Sequence, residues 1–217
     1  MATLGELRSR IVLECVRDDL TDAPSSDPTA VSTDTLNQAI ARAIEYFADK
    51  RFFFNESRVT NSTTGGSEYV TLPTGLRFLD LLSVTVGSNR YPLTMRDYAW
   101  TEQMLGYGPT NGQPTDFSIS GTQVRLYPAP NIAYTLTWLG VFDVTPALDY
   151  TNAASSNAWT TYGEDLIAAR ARMLLMRDNF RDPEGATLAG LAEKEALDNL
   201  RGFTARRIGT GSVRASW

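Results

Sequence analysis

Residues 161–203, TYGEDLIAARARMLLMRDNFRDPEGATLAGLAEKEALDNLRGF, predict two helices in series, Thr161–Phe180 and Asp182–Phe203. Apolar side chains recur at helical spacing in both stretches. Asp182 can cap the second helix and Pro183 suits its first position, while Thr161 and Glu164 form a capping-box pattern for the first. The short link between the helices leaves two alternatives, an antiparallel hairpin or two helices meeting at an angle. This pair predicts the scaffold of the C-terminal quarter.

The segment that follows, residues 204–217, predicts an extended docking tail. The overall net charge is −5, but residues 201–217 contain four arginines and no acid, so they carry +4 and the remainder −9. A basic segment with scattered apolar residues can become ordered on a protein partner. Arginines would pair with the partner's acids, and large apolar side chains would anchor the contact. The predicted contact residues are Arg206, Arg207, Ile208, Val213, Arg214 and Trp217.

The first 55 residues predict two more helices. Thr3 and Glu6 form a capping box, and apolar spacing extends a helix to about Asp18, with Cys15 as a small buried side chain. A loop with two prolines follows, and a second helix begins near Ser32–Thr35 and runs to about Phe53. The run Phe52-Phe-Phe54 at its end indicates core packing or a hinge anchor.

From Glu56 the apolar period changes to two, which predicts strands. About seven short strands separated by turn residues indicate a compact antiparallel sandwich or barrel. A capping-box pattern at Thr94–Asp97 predicts one short helix among them. The expected fold class is therefore α+β, with a helical body from residues 1–55 and 160–203, a β-rich insertion at 56–159 and the tail at 204–217.

Composition excludes most catalytic chemistry. The chain contains no histidine and one cysteine, so histidine-based triads, histidine metal ligands and intrachain disulfides are impossible. No phosphate-binding or dinucleotide-binding motif is present. Neighbouring acids such as Glu164-Asp165 leave open a glycan hydrolase, and Asp143 with Asp149 leaves open a calcium loop, although ordinary solvated carboxylates explain both. We expect no enzyme activity, no cofactor and no metal.

The N-terminus lacks an apolar signal segment and no stretch is long and apolar enough for a transmembrane helix, so we expect synthesis in a cytoplasm and no membrane contact. The acidic body argues against duplex DNA binding through phosphate neutralisation. It suits a surface that DNA passes without binding.

The order of motifs resembles the head-to-tail adaptor, or connector, proteins of tailed bacteriophages, especially the short-tailed type. The resemblance covers nearly the whole chain. The motifs that carry it are LNQAIARAIEYF (36–47), EYVTLP (68–73), RFLDLLSVTV (77–86) and QVRLYPAP (123–130), followed by YTLTW (134–138) and the C-terminal helices. The stretch VRLYPAP is the most specific of them.

This resemblance implies a structural virion protein at the head–tail junction, made in the host cytoplasm. It implies a ring, usually of twelve copies, that binds the portal protein above and tail nozzle, tube or fibre proteins below, and that continues the channel for DNA ejection. It also implies a C-terminal segment that extends along the portal.

Two alternatives remain open. The chain could be another neck or tail component of a phage. It could also be a receptor- or glycan-binding module that uses exposed aromatic side chains for stacking, with Tyr91, Trp100, Tyr107 and Trp138 as candidates, although strand alternation favours a core position for Trp138.

Overall fold

A computed structural model describes residues 2–16, 33–106 and 110–207. Its Cα positions group into a helical unit, Met1–Asn55 with Val144–Trp217, and a β unit, Glu56–Asp143. Helices and largely antiparallel sheets are both present, so the predicted α+β class is confirmed.

Residues 144–159 group with the helical unit, although the sequence pattern places them in the β-rich insertion. The reason lies in the start of the first helix, whose first amide groups have no partner within the helix. Leu4 N donates to the Ser155 carbonyl and Gly5 N to the Ala153 carbonyl, both at 2.8 Å. The Arg8 guanidinium also donates to the Tyr150 carbonyl at 2.8 Å. This loop therefore completes the N-terminus of a helix remote in sequence.

Among its described residues, the helical unit has five α-helices and one π-helical turn. They are α1 (Leu4–Val16), α2 (Thr33–Ala48), α4 (Ala158–Tyr162), α5 (Glu164–Leu175), the π-helical turn Met176–Phe180, and α6 (Pro183–Arg207); α3 lies in the β unit. The predicted end of α2 near Phe53 was too late, because the helix stops at Ala48. The predicted tail also began too early, because residues 204–207 are helical where extended chain was expected.

Local capping chemistry explains two of the helix starts. Thr3 N donates to Glu6 Oε2 at 2.7 Å and Glu6 N donates to Thr3 Oγ1 at 3.2 Å, so the predicted capping box is confirmed. Asp182 Oδ1 accepts from the amides of Glu184 and Gly185, at 3.1 and 3.0 Å, which confirms the predicted cap before Pro183.

The predicted cap at Thr161 is wrong. Thr161 lies inside α4, where its hydroxyl donates to the Asn157 carbonyl at 2.9 Å. Asn157 is the N-cap instead, because its side chain accepts from Trp159 N and Thr160 N. Gly163 then separates α4 from α5 and offers no side chain for a cap.

Helices α5 and α6 form an antiparallel hairpin, one of the two predicted alternatives. Arg181 has a left-handed backbone conformation (φ 54°) that reverses the chain after the π-helical turn. An ion pair joins Arg170 to Glu193 at 3.2 Å across the two helices. Nearer the turn, Gly185 of α6 lies against Met176. Moving away from the turn, the contacting residues have lower sequence numbers on the first helix and higher sequence numbers on the second, as in an antiparallel pair.

The core of the helical unit lies among α1, α2, α5 and α6. Its members are fully or nearly fully buried apolar side chains; they include Leu4, Leu7, Ile11, Ile40, Phe47, Phe52, Trp159, Leu166, Ile167 and Leu200. Cys15, which was expected to be buried, is half-buried at the edge of this core.

The described part of the β unit has two four-stranded sheets and one short helix. The first sheet has the order β1 (Glu56–Ser62), β10 (Thr135–Phe142), β3 (Leu76–Val86) and β4 (Asn89–Pro92). The second has the order β2 (Tyr69–Thr71), β8 (Gln123–Tyr127), β7 (Asp116–Ser120) and β5 (Thr94–Met95). Strands β6 (Asn111–Gly112) and β9 (Ala129–Pro130) form a separate pair, and α3 spans Tyr98–Gly106.

Two short pairs, β5–β7 and β6–β9, are parallel, which differs from the antiparallel prediction. The capping box expected at Thr94 is also wrong. Thr94 and Met95 pair with β7 as a strand, and Arg96 N still donates to the Phe117 carbonyl at 2.7 Å. Helix α3 therefore begins only at Tyr98.

The core of the β unit lies between its two sheets. Trp138 is fully buried there, as predicted, and its indole N–H donates to Asn61 Oδ1 at 2.7 Å. Its neighbours are mainly aliphatic and aromatic; they include Leu82, Val84, Phe117, Val124, Leu126, Tyr134 and Leu136.

Candidate functional site

The predicted docking residues fall into two groups. Arg206 and Arg207 are the last two residues of α6, and both are exposed. Ile208, Val213, Arg214 and Trp217 lie outside the described residues. The described part of the predicted site is therefore the C-terminal turn of α6.

Arg207 packs against an aromatic cluster that consists of Phe53, Tyr162 and Phe203. Its guanidinium carbon lies 4.5 Å from the ring centroid of Phe53, 5.7 Å from that of Phe203 and 5.8 Å from that of Tyr162. Cations within about 6 Å of an aromatic face are attracted to it. Arg207 is thus held by its own chain, whereas Arg206 has no such ring contact among the described residues.

The aromatic cluster is joined to the core of the helical unit. The Phe53 ring lies 4.9 Å from the Tyr162 ring and 5.3 Å from the Phe203 ring. Phe54 connects the cluster inward, because its ring contacts both Phe53, at 5.3 Å, and Trp159, at 4.9 Å. The end of α6 is therefore positioned by side chains that continue into a buried core.

The sequence contained a partial signal for this cluster. The run Phe52-Phe-Phe54 was interpreted as core or as a hinge anchor, and Phe52 is fully buried. Its partners Tyr162 and Phe203 are about 110 and 150 residues away in sequence, and both are partly exposed. No spacing rule links residues so far apart, so the cluster could not be predicted.

A groove of about 440 Å³ lies between α1, α5 and α6. Its sides are mainly polar and three alanines form part of its wall; the lining residues are Arg10, Glu14, Asp165, Ala169, Arg172, Ala192, Glu195, Ala196 and Asn199. Arg10 forms ion pairs with Glu14 at 2.8 Å, Glu164 at 3.3 Å and Asp165 at 2.7 Å.

These contacts bear on the hydrolase alternative, which needed Glu164 or Asp165 as an acid or base. Hydrogen bonds to Glu14 and then to the other two carboxylates raise the pKa of Arg10, so its charge is permanent. Both candidate acids pair with this cation, so each carboxylate already has a structural partner on α1. The arrangement is a structural ion-pair network that joins α1 to α5.

The two acidic residues of the calcium alternative, Asp143 and Asp149, also have partners within the chain. Asp143 pairs with Arg77 at 2.7 Å. Hydrogen bonds from the Thr151 hydroxyl and amide lower the pKa of Asp149. Among residues 2–16, 33–106 and 110–207, no group of acidic and cysteine side chains has an arrangement suited to a metal ion.

The four aromatic residues of the glycan-binding alternative have different environments. Trp138 is buried in the β core and cannot stack on a ligand. Trp100 contacts Tyr127 and lies 5.1 Å from the Arg96 guanidinium. Tyr91 is exposed on β4, and Tyr107 lies outside the described residues.

The β unit contains a buried arginine that the sequence analysis did not identify. Arg125 on β8 pairs with Glu68 at 3.1 Å and with Glu102 of α3, and its guanidinium lies over the rings of Tyr69 and Tyr98. A hydrogen bond from Tyr98, followed by that from Arg125, lowers the pKa of Glu102. This network fastens α3 to the second sheet.

Comparison with known proteins finds a family to which nearly the whole chain is similar. A family model described as "SU10 adaptor protein" matches residues 2–215, nearly the whole chain. A search of curated protein sequences finds no match. Within the described part of the chain, no helix combines the length and apolar composition that a membrane crossing requires.

Proposed function

The chain belongs to the SU10 adaptor protein family of phage structural adaptors, and we propose that it forms a ring that joins the portal vertex to the tail. The observation that carries this proposal is the family match, which spans both units and most of the C-terminal segment. Components of a virion with this role act through interfaces and need no catalytic centre.

We place the chain at the head–tail junction of a phage, with the short-tailed type as our working assignment. The ring would contain about twelve copies, bind the portal protein on one side and bind tail nozzle, tube or fibre proteins on the other. DNA would cross its channel without specific binding, which the −9 charge of residues 1–200 supports because acidic surfaces form few phosphate contacts.

The C-terminal segment is proposed as the portal-binding arm. Its anchors would be Ile208, Val213 and Trp217, and its ionic contacts would come from Arg206 and Arg214. Arg207 is assigned a different role, because the aromatic cluster already holds its guanidinium. It would fix the direction in which the arm leaves α6.

The test is reconstitution of the junction from purified portal and the full-length chain, followed by mass photometry. We expect a complex of constant mass that corresponds to a ring on a ring, while the isolated chain stays monomeric. Deletion of Gly209–Trp217 should abolish or strongly weaken the complex. Failure of the full-length chain to bind portal refutes the joining function, and undiminished binding by the deletion variant refutes the arm.

A further inference from the structure

A lysine that follows the end of α2 lies in a positively charged environment. The Nζ atom of Lys50 is 4.8 Å from the ring centroid of Tyr46, and the guanidinium carbon of Arg170 is 3.7 Å from the same centroid. One aromatic ring therefore holds two cations, which come from different parts of the helical unit. The carboxylate of Glu193 pairs with Arg170 at 3.2 Å, so this acid already has a partner.

The groups that act electrostatically on Lys50 are Arg201 and Glu193 of α6 and Arg170 of α5. Together with Lys50 they are three cations and one acid, so they carry a net charge of +2. Among residues 2–16, 33–106 and 110–207, no ion pair involves Lys50 or Arg201. Two cations thus lie close together without a carboxylate of their own.

Backbone hydrogen bonds hold Lys50 in this environment. Its amide donates to the Phe47 carbonyl at 3.0 Å, and its carbonyl accepts from Asn55 Nδ2 at 2.8 Å. Asn55 is buried, and its Oδ1 accepts from Phe52 N at 2.7 Å. Movement of the lysine backbone away from the arginines would therefore leave a buried amide side chain without a partner, which is costly.

These surroundings favour the neutral amine of Lys50 over the charged ammonium. Partial burial is the largest cause that lowers the pKa of Lys50, and the positive charge of Arg201 is the next. Glu193 opposes this shift, and Arg170 adds a smaller lowering. The neutral amine is the nucleophilic form of lysine. Because the side chain is half-buried and not fully buried, the amine remains open to a small reagent.

The neighbouring arginine indicates which class of reagent suits this amine. Arg201 is exposed, and its planar guanidinium can bind two oxygens of one phosphate group. A phosphate bound there brings an attached carbonyl carbon close to Nζ of Lys50. A neutral reagent gains nothing from this cation, so an anionic acyl donor has the advantage.

We propose that Lys50 is a modification site that accepts an acyl group from small acyl phosphates. The lone pair of Nζ attacks the carbonyl carbon, so that an amide N–C bond forms and the C–O bond to the phosphate breaks. The phosphate leaves with the electron pair of that bond and takes up the proton that the amine gives up. The product is a neutral amide, which ends the repulsion between Lys50 and Arg201. This proposal is independent of the proposed function.

The first arm of the test exposes the full-length chain to acetyl phosphate near neutral pH. The remaining amines are then labelled in guanidinium chloride with a deuterated acetylating reagent, and peptide mass spectrometry gives the acetylated fraction at each lysine. Lys194 is the matched control, because it is the only other lysine and is exposed on α6.

Folding should raise the rate at Lys50 relative to that at Lys194. We expect this ratio to be at least about threefold higher in the folded chain than in the chain unfolded in guanidinium chloride, a factor that corresponds to one exposed ion pair with the phosphate. A ratio that stays the same or falls on folding overturns the proposal.

The second arm tests the donor class with Arg201→Gln and, as the control, Arg206→Gln, which removes another exposed arginine of α6. Each variant is acetylated with acetyl phosphate and with the neutral ester p-nitrophenyl acetate. Loss of the Arg201 charge affects the amine in both reactions, whereas only acetyl phosphate also loses its binding group.

The rate at Lys50 with acetyl phosphate, divided by the rate with the ester, should therefore fall at least about twofold in Arg201→Gln. It should keep the wild-type value in Arg206→Gln. Because both arginines are exposed, the unfolding midpoints should stay close to that of the wild type. An unchanged rate quotient in Arg201→Gln overturns the assignment of acyl phosphates as the donors.

Discussion

Replacement of Arg207 by alanine should destabilise the helical unit more than the same change at Arg206. Both arginines lie in the last turn of α6, where a cation interacts favourably with the helix dipole to a similar extent. Only Arg207 also contacts the aromatic cluster. The difference between the two variants therefore isolates the contribution of the ring contacts.

The expected size of that difference follows from the distances. The Phe53 ring lies 4.5 Å from the guanidinium carbon, whereas the other two rings lie at 5.7 and 5.8 Å, close to the limit of about 6 Å for this interaction. A partly exposed cation–π contact contributes about 0.5–1 kcal/mol. We take about 1 kcal/mol for the whole cluster, which corresponds to about 2–4 °C in the unfolding midpoint of a chain of this size.

Differential scanning calorimetry of Arg206→Ala, Arg207→Ala and Arg207→Lys provides the measurement. The lysine variant keeps the positive charge but loses the planar group that stacks on rings, so its midpoint should lie between those of the wild type and Arg207→Ala. Equal midpoints for the two alanine variants would show that the ring contacts contribute nothing. The separate role assigned to Arg207 would then have no energetic basis.

Further predictions concern the cap of α4, the buried arginine and Gly140 of β10. Asn157→Ala removes the capping box of α4 and should cost about 1 kcal/mol in free energy of unfolding, whereas Asn157→Asp should retain most of it; no loss in the alanine variant contradicts the cap. Arg125→Met leaves Glu68 and Glu102 without their cation and should cost about 2–3 kcal/mol, less than a fully buried pair because both acids are partly exposed; a variant as stable as the wild type in urea refutes this. The pKa of Glu102 in the folded chain is lowered from 4.5. Its contribution to stability is therefore present above pH 4.5 and declines as the pH falls through the folded-state pKa. Glu102→Gln should flatten this part of the acid-unfolding curve, and an unchanged curve contradicts the assignment. Gly140→Ala should disrupt the β unit, since the new methyl group meets backbone, whereas Gly121→Ala, at a turn with open space but a positive φ, should cost far less; comparable losses measured by near-UV circular dichroism would refute the steric argument.

The features that the sequence predicted correctly are those determined by neighbouring residues. The capping box of Thr3 with Glu6, and the cap of Asp182 before Pro183, involve groups three residues apart or fewer. The burial of Trp138 followed from strand alternation within one strand. In each case the residues that determine the structure lie within a single turn of helix or a single strand.

The predictions that failed met a competing partner, which was local at Thr161 and remote in sequence at Thr94. Thr161 and Thr94 both carried a good local capping pattern, yet Asn157 capped the earlier helix and β7 took Thr94 as a strand partner. Residues 144–159 group with the helical unit, and carbonyls among them are acceptors for the start of α1. A local pattern describes what a segment can form, and tertiary contacts select among the possibilities.

The proposed arm and the exposed apolar side chains of β3 differ in how far the sequence predicts them. The arm could be proposed from composition, because residues 201–217 contain four arginines and no acid. Strand β3 exposes Phe78 and Leu81. Two bulges in its pairing with β10 leave Arg77 and Asp80 as extra residues, and only the register with β10 determines their position. If strict alternation continued from the buried Leu82, residues 78 and 80 would also face the core. Phe78 would then be hidden, and the charged side chain of Asp80 would be buried. The bulges avoid that cost by leaving Asp80 at the surface, and the exposure of Phe78 is the consequence. An apolar surface that arises in this way has no compositional signature. The sequence pattern that indicates it is LRFLDLL, in which two charged residues three positions apart lie among five large apolar residues.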